Sequence, residues 1–189
     1  MTLLVATTNP GKLREFQLAA GDIEIVPIIP GDPPEETGTT FEQNAALKAI
    51  YYSRDVDGLL LAEDSGLEVH ALGGAPGVHS ARFSASGDDT DNNSLLIARL
   101  QGAKDRSARY VCVIAVAERG EVRATFRGEV EGEIVDTPQG TGGFGYDPHF
   151  FYPPFGATFA EVAPERKFEV SHRRKALDQM LTWLRNAST

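Results

Sequence analysis

The sequence predicts an α/β fold with a mixed β-sheet, in a single domain that spans residues 1–189. Strand-like apolar runs alternate with helical patterns early in the chain, which is typical of strands connected by helices. Two long strand-like stretches, residues 107–118 and 122–134, are joined through Arg119-Gly120, which indicates an antiparallel hairpin. With 189 residues and 41% hydrophobic content, the chain is long enough to bury a sizeable core.

The strands expected before the hairpin are short apolar runs. Residues 3–7 and 23–29 each predict a strand, and a turn-forming Pro or Asn segment follows each of them. Residues 59–62 predict a third, buried strand that ends directly at Glu63. These strands supply the part of the sheet that precedes the hairpin.

Helix start signals separate these strands. Asn9-Pro10-Gly11 leads from the first strand into a helix. Thr40 with Gln43 three positions later is a capping-box pattern that begins a second helix. A third helix is expected to begin near Thr90 or Asp91. The last helix follows Ser171 as its N-cap, and its apolar face consists of Ala176, Leu177, Met180, Leu181 and Leu184.

The composition limits the classes of partner. A formal net charge of −9 and a pI near 4.9 argue against binding of a nucleic-acid polymer, which needs an extended basic face. A few converging lysines with a metal ion can still bind an anionic small molecule. No apolar run reaches membrane-spanning length and the start lacks the pattern of a signal peptide, so we expect a cytoplasmic protein with no membrane partner. The single cysteine, Cys112, lies in an apolar run and is expected in the core.

Two segments have the composition of phosphate and metal sites. Thr7-Thr8-Asn9-Pro10-Gly11-Lys12 is a strand-to-helix turn whose backbone N–H groups and lysine favour an anion, although a capped turn with a solvated lysine fits it equally well. Glu35-Glu36-Thr37-Gly38 precedes the helix that carries Lys48, and such adjacent carboxylates are either Mg²⁺ ligands or simply solvated.

Glu63-Asp64-Ser65-Gly66 is the most informative acidic segment, because two carboxylates follow an apolar strand where α/β sheets place ligands. Neighbouring side chains on a strand point in opposite directions, so one carboxylate can ligate a metal while the other activates water. A simple Asp-Ser-Gly turn is the alternative.

Two further segments favour recognition of a base. In Gly142-Gly143-Phe144-Gly145-Tyr146-Asp147-Pro148, glycines surround two aromatic residues that can stack on a nucleobase or, alternatively, enter the core. Lys167 with Ser171-His172-Arg173 places basic donors at a helix N-terminus, which suits recognition of a base carbonyl or a phosphate. A capped surface helix with basic residues is the alternative, although cations there oppose the helix dipole and therefore need a functional reason.

These five segments, in this order, resemble the inosine triphosphate pyrophosphatase (Ham1/RdgB) family. The resemblance runs from Thr7 to Arg173, and Ala75-Pro76-Gly77-Val78-His79-Ser80-Ala81-Arg82 extends it. It implies an elongated mixed sheet flanked by helices, two lobes with an active-site cleft between them, and a homodimer. It also implies Mg²⁺-dependent hydrolysis of dITP, ITP and XTP to the monophosphate and pyrophosphate.

The resemblance also implies roles for individual residues. Asp64 is expected to activate water and, with Glu36 and Glu63, to bind Mg²⁺. The substrate-binding residues that it implies are Thr8, Asn9, Lys12, Lys48, Ser65, Phe144, Gly145, Tyr146, Asp147, Lys167, His172 and Arg173.

One position departs from the family pattern. In Phe41-Glu42-Gln43-Asn44, we expect bacterial relatives to have the acid directly before the asparagine, so Glu42 receives no role. Two other functions stay open: a Maf-like pyrophosphatase for modified pyrimidine or methylated nucleotides, and a nucleotide sensor without turnover.

Overall fold

The computed structural model describes residues 2–7, 9–21, 23–28 and 31–187. Short 3₁₀ segments lie at His70–Leu72, Gly77–Arg82 and Pro153–Phe155. The strands and α-helices are β1 Thr2–Ala6, α1 Pro10–Ala19, β2 Glu24–Ile28, α2 Phe41–Ser53, β3 Leu60–Val69, α3 Asp89–Arg99, β4 Ser107–Glu118, β5 Glu121–Ile134, β6 Phe150–Tyr152, β7 Ala157–Thr158, α4 Pro164–Val170 and α5 His172–Ala187.

The strands of the described residues form one mixed sheet in the order β2-β1-β3-β4-β5-β6-β7. β1 runs parallel to β2 and to β3, whereas β6 is antiparallel to both β5 and β7. Arg119 and Gly120 connect β4 to β5 with φ values of 51° and 80°, the left-handed backbone that a two-residue hairpin turn requires. The predicted mixed α/β sheet with its central hairpin is therefore confirmed.

The predicted helix starts follow from local hydrogen bonds. The Asn9 side chain caps α1 by accepting from the N–H groups of Gly11 and Lys12. Thr40 caps α2 by accepting from the N–H of Gln43, as the capping-box pattern predicts. α3 begins at Asp89, slightly earlier than expected, because the carboxylate of Asp88 and not a later residue caps it.

The prediction that β3 ends at Glu63 is wrong. β3 continues to Val69, so Glu63 and Asp64 lie within the strand and not in a turn after it. Gly66 also lies within the strand, and it has to be glycine because a Cβ there would lie 2.3 Å from the Ser80 hydroxyl oxygen. Interior polar residues interrupt the apolar run, and the strand tolerates them because cationic side chains pair with both carboxylates.

α4, β6 and β7 were not predicted. Each is short, at seven, three and two residues, so its hydrophobic pattern repeats too few times to give a recognisable signal. α4 begins with Pro164 at its first turn, a position where the missing N–H costs no hydrogen bond. As a result Lys167 lies in α4 and not at the start of the last helix, α5.

The chain divides into two compact units. The first consists of the described residues of 1–64, 112–128 and 172–189, and the second of residues 65–111 and 129–171. Cys112 lies fully buried in the first unit, as predicted. The predicted apolar face of α5 is also buried there: Ala176, Leu177, Met180, Leu181 and Leu184.

The second unit has its own apolar core. Tyr110, Phe150 and Phe159 pack there, with ring centroids 4.5 Å apart for Tyr110 and Phe150 and 5.0 Å apart for Phe150 and Phe159. Leu96 from α3 is buried in the same core. This core supports the segment that carries Phe144 and Tyr146.

No helix of the described residues is both long and apolar enough to cross a membrane.

Candidate active site

Four polar side chains of the first unit form one hydrogen-bonded group, which we call the Lys48 cluster: Glu36, Asn44, Lys48 and Asp64. The Lys48 ammonium lies 2.8 Å from a Glu36 carboxylate oxygen and 3.0 Å from one of Asp64. The Asn44 amide donates to the other Asp64 oxygen at 3.2 Å. Asn44 and Lys48 are four residues apart in α2, so both reach the same face of the helix.

Asn44 also fixes the loop that carries Glu36. Its side-chain oxygen accepts from the Gly38 N–H at 2.8 Å, and a Cβ at Gly38 would lie 2.4 Å from that oxygen. Position 38 therefore has to be glycine, because any larger residue would clash with the Asn44 side chain. Asn44 therefore links the Glu36 loop to Asp64 through one side chain.

The Lys48 cluster contains more negative than positive charge, because its two carboxylates share one ammonium group. Burial raises the pKa of Asp64, and the attraction of Lys48 only partly offsets it while Glu36 adds repulsion. Burial lowers the pKa of Lys48, but the charges of Asp64 and Glu36 outweigh burial and the net shift is upward. Asp64 is thus a carboxylate that takes up a proton more readily than an ordinary aspartate, while its lysine stays charged.

Glu63 belongs to a different group of side chains in the first unit, which we call the Glu63 cluster: Lys12, Glu15, Glu63, Cys112 and Arg173. One Glu63 oxygen lies 2.5 Å from the Lys12 ammonium. The other accepts from Arg173 Nε at 2.9 Å and from the Cys112 thiol at 3.0 Å. Since Glu63 and Asp64 share no partner among these bonds, the two carboxylates act on opposite sides of β3, as the strand pattern predicts.

Glu63 is held in its charged form. Burial alone would raise its pKa, but Arg173 and Lys12 outweigh burial and hold the pKa well below its usual value. Glu15 pairs with the other side of the Arg173 guanidinium. Burial raises the pKa of the Cys112 thiol and the Glu63 charge raises it further, so the thiol stays protonated and is not a nucleophile.

The carboxylates of the two clusters supply oxygen ligands of the kind that a hard cation prefers. Among the residues that the structure describes, no group of three or more His, Cys, Asp or Glu side chains is arranged to hold a metal ion. Mg²⁺ does not require such a cage, since one or two carboxylates usually bind it together with substrate phosphates and water. Glu36 and Asp64 already share one cation, Lys48, so their oxygens fit that pattern. Glu63 is engaged by Lys12 and Arg173 instead.

The strand-to-helix turn is only partly available for phosphate binding. Asn9 uses its side-chain oxygen to cap the N–H groups of Gly11 and Lys12. The Lys12 side chain is directed to Glu63. Thr8, also predicted to bind substrate, lies outside the described residues.

In the second unit, the two aromatic residues of the segment 142–147, which we call the aromatic loop, have different environments. Phe144 is 39% exposed, whereas Tyr146 is 4% exposed and donates its hydroxyl hydrogen to the Ser80 carbonyl at 2.7 Å. Phe144 therefore offers a ring face to a ligand, and Tyr146 anchors the loop to the core. The substrate-binding roles of both residues stay predictions.

Asp147 and Lys167 hold the aromatic loop in place through buried polar contacts. The buried Asp147 carboxylate accepts from the Phe144 N–H at 3.0 Å, from Lys167 at 2.5 Å and from the Tyr110 hydroxyl at 3.2 Å. The Lys167 ammonium also lies 4.7 Å from the centroid of the Phe144 ring, a cation–π distance. The lysine thus pairs with Asp147 and polarises the exposed ring at the same time.

The remaining predicted residues lie on regular elements. His172 and Arg173 form the buried start of α5 in the first unit. Gly128 of β5 allows the start of α5 to lie close against this strand, since a Cβ at Gly128 would lie 2.1 Å from the His172 carbonyl oxygen. Ser65 follows Asp64 in β3 and is half-buried.

Sequence reasoning missed two residues of these clusters, Asn44 and Glu15. Both have a signal in hindsight: Asn44 precedes Lys48 by four positions, and Glu15 follows Lys12 by three, spacings that share a helix face. Glu42, which received no role, forms an ion pair with Arg127 at 2.6 Å.

Comparisons with known proteins extend over nearly the whole chain. A model described as the Ham1 family matches residues 3–183. A dITP/XTP pyrophosphatase of Acidobacterium capsulatum is 52% identical and covers 97% of this chain and 98% of its own length. The corresponding figures for a dITP/XTP pyrophosphatase of Thermus thermophilus are 43%, 96% and 90%. The structure of the Staphylococcus aureus Ham1 protein superposes with a TM-score of 0.89 at 38% identity, covering 99% of this chain and 100% of that chain.

Proposed function

The chain belongs to the Ham1 family, and we propose that it hydrolyses the non-standard purine nucleoside triphosphates dITP, ITP and XTP to the monophosphate and pyrophosphate. The names of the curated relatives, dITP/XTP pyrophosphatase, support this substrate class. The observation that carries the proposal is the different pairing of two neighbouring β3 carboxylates. Glu63 pairs with Lys12 and Arg173, which hold its pKa well below the usual value, whereas Asp64 contacts Lys48 and Asn44 and burial raises its pKa.

Asp64 is the proposed general base. Its raised pKa suits proton transfer from water, and the Asn44 amide holds one of its oxygens in place. The water oxygen bonds to the α phosphorus, its proton passes to Asp64, and the bond from that phosphorus to the bridging oxygen breaks. Pyrophosphate leaves, so one water and one triphosphate give one monophosphate and one pyrophosphate.

Lys12 and Lys48 are the proposed triphosphate contacts. Both ammonium groups are half-buried and pair with carboxylates in the structure. A triphosphate brings more negative charge than either carboxylate, so it attracts the ammonium groups away from their present partners. Transfer of Lys48 to phosphate leaves the Asp64 carboxylate available as a base.

We propose that Mg²⁺ is the cofactor, with Glu36 and Asp64 as ligands. Glu63, the third predicted ligand, lies on the other side of β3, where it pairs with Lys12 and Arg173. When bound, the ion neutralises phosphate charge and activates the leaving group. Replacing Glu36 with Gln should raise the Mg²⁺ concentration that gives half the maximal rate. The same change at the exposed neighbour Glu35 is the matched control and should leave that concentration unchanged.

Base recognition is assigned to the aromatic loop and to the start of α5. The exposed Phe144 ring stacks on the purine. Lys167 lies over that ring and pairs with Asp147, and Tyr146 anchors the loop through the Ser80 carbonyl. A 6-keto purine presents an acceptor where adenine presents an amine, so donors from His172, Arg173 or nearby backbone favour it. Discrimination against GTP then depends on the 2-position or on the shape of the pocket.

We further propose a cytoplasmic homodimer that binds no nucleic-acid polymer. The net charge of −9 supports the last point, because a polymer needs an extended basic face. Light scattering at several protein concentrations tests the dimer: a mass twice that of the 20.4 kDa chain is expected, and a monomer at all concentrations contradicts it.

A substrate panel tests the proposed activity. Monophosphate and pyrophosphate are measured for dITP, XTP, dGTP and dUTP, with Mg²⁺ present and absent. Fast release from dITP and XTP alone is expected. Preferred release from dUTP would favour the Maf-like alternative, and saturable dITP binding without any product in Mg²⁺ would favour the sensor.

A further inference from the structure

Two side chains of α3 hold the backbone of the aromatic loop next to its exposed ring. A carboxylate oxygen of Asp89 accepts from the Gly145 N–H at 2.7 Å. The amide of Asn93 donates to the Gly145 carbonyl at 2.9 Å. Both backbone polar groups of one residue are therefore bound by residues four apart on one helix face.

The loop needs such a constraint. Gly143 and Gly145, on either side of Phe144, have φ values of 72° and 63°, and glycine has many other conformations available. The Phe144 side chain is 39% exposed, so packing restrains the loop less than it would around a fully buried ring. Asp147 binds the N–H of Phe144, and the Gly145 contacts fix the residue that follows it.

The hydrogen bonds of α3 single out Asp89 among the acids at its start. Asp88 is the helix cap and accepts from the Thr90 N–H. Asp91 accepts from the Ser86 hydroxyl at 2.6 Å. The Asp89 carboxylate is thus the one directed to the loop, while Asn93 also donates to the Asp89 carbonyl at 2.8 Å, which sets the orientation of its amide.

We propose that Asp89 and Asn93 are positioning residues for base recognition: they hold the loop backbone so that the Phe144 ring is ready to stack on the purine. This inference rests on the proposed function. If the loop is released, the binding-competent conformation is only a fraction of the population, and the apparent affinity for the nucleotide falls by that fraction. The chemistry on the triphosphate is unaffected.

Asp89→Ala and Asn93→Ala each remove one hydrogen bond to Gly145 and should raise the KM for dITP about threefold to tenfold, with kcat changed less than about twofold. Asp89→Asn keeps an acceptor oxygen and should restore most of the lost affinity. Asn93→Asp places a carboxylate against two carbonyl oxygens and should raise KM more than Asn93→Ala does. Asp91→Ala, in the same helical turn, is the matched control and should behave like the wild type.

Inhibition by inorganic pyrophosphate supplies a readout without a base. Its inhibition constant should stay unchanged in all variants, because positioning of Phe144 affects only the base. The inference is overturned if Asp89→Ala matches Asp91→Ala in KM, or if pyrophosphate binding and kcat fall together with dITP binding, as a general structural defect would cause. A wild-type protein that does not hydrolyse dITP would instead reject the proposed function.

Discussion

Neutralising Glu63 should destabilise the fold and neutralising Asp64 should not, although the two residues are neighbours on β3. Glu63→Gln and Asp64→Asn each replace a carboxylate with an amide of the same shape. Glu63 is charged because Lys12 and Arg173 stabilise it beyond the cost of burial. For Asp64, the cost of burial exceeds the attraction of Lys48.

The size of the first effect follows from burial. The side chains of Glu63 and Arg173 are 2% and 1% exposed. Removing one partner of a buried ion pair costs about 3–5 kcal/mol, because the other charge stays buried. Arg173 keeps its pair with Glu15, so the lower end of this range applies. For a chain of this length each kcal/mol lowers the unfolding midpoint by about 2–4 °C, so Glu63→Gln should lose at least about 6 °C. Asp64→Asn should leave the midpoint unchanged or raise it.

Thermal unfolding at neutral pH, with a chelator present, measures both effects. Glu68→Gln is the matched control, because Glu68 lies on the same strand and its pair with Arg109 is partly exposed. Such a pair contributes less than about 1 kcal/mol. The electrostatic assignment would be refuted if Asp64→Asn lost as much stability as Glu63→Gln, or if Glu63→Gln and Glu68→Gln were indistinguishable.

Three further results are expected. Since the folded pKa of Glu63 lies below the unfolded value of about 4.3, the stabilisation that its charge provides is present above that pH and fades below it. The free energies of unfolding of wild type and Glu63→Gln, measured with urea, should therefore converge as the pH falls from 6 to 3. A constant difference between them would contradict this. Lys48→Met removes the ammonium shared by two carboxylates and should lower kcat/KM for dITP about a hundredfold, with unchanged kinetics as the contrary outcome. Gly143→Ala places a Cβ 2.0 Å from an Asp147 carboxylate oxygen and should raise KM more than Gly145→Ala, whose Cβ meets nothing within 4 Å; equal values would argue against a fixed loop.

The elements that could be predicted from the sequence are those with strong local signals. The face of α5 repeats over four turns, and the β4–β5 hairpin has two long strands around a glycine turn. The end of β3 was mispredicted because Glu63 and Asp64 resemble a polar turn until their cationic partners are known. α4 is too short for a periodic signal.

The sequence indicated most of the charged residues of the two clusters but not which of them pair with each other. Acidic and basic residues were identified segment by segment, yet Arg173 lies 110 residues from Glu63, and the sequence does not show that they meet. The different states of Glu63 and Asp64 arise from those long-range partners. The contact between Asp89 and Gly145 spans 56 residues and has no local signal either.

Hydrolysis of dITP in ¹⁸O-labelled water locates the bond that water forms. If Asp64 directs water to the α phosphorus, the label should appear in the monophosphate and be absent from pyrophosphate, and Asp64→Asn should turn over about a hundredfold more slowly or worse while remaining folded. Label in the pyrophosphate, or an Asp64→Asn variant with nearly normal turnover, would contradict this mechanism.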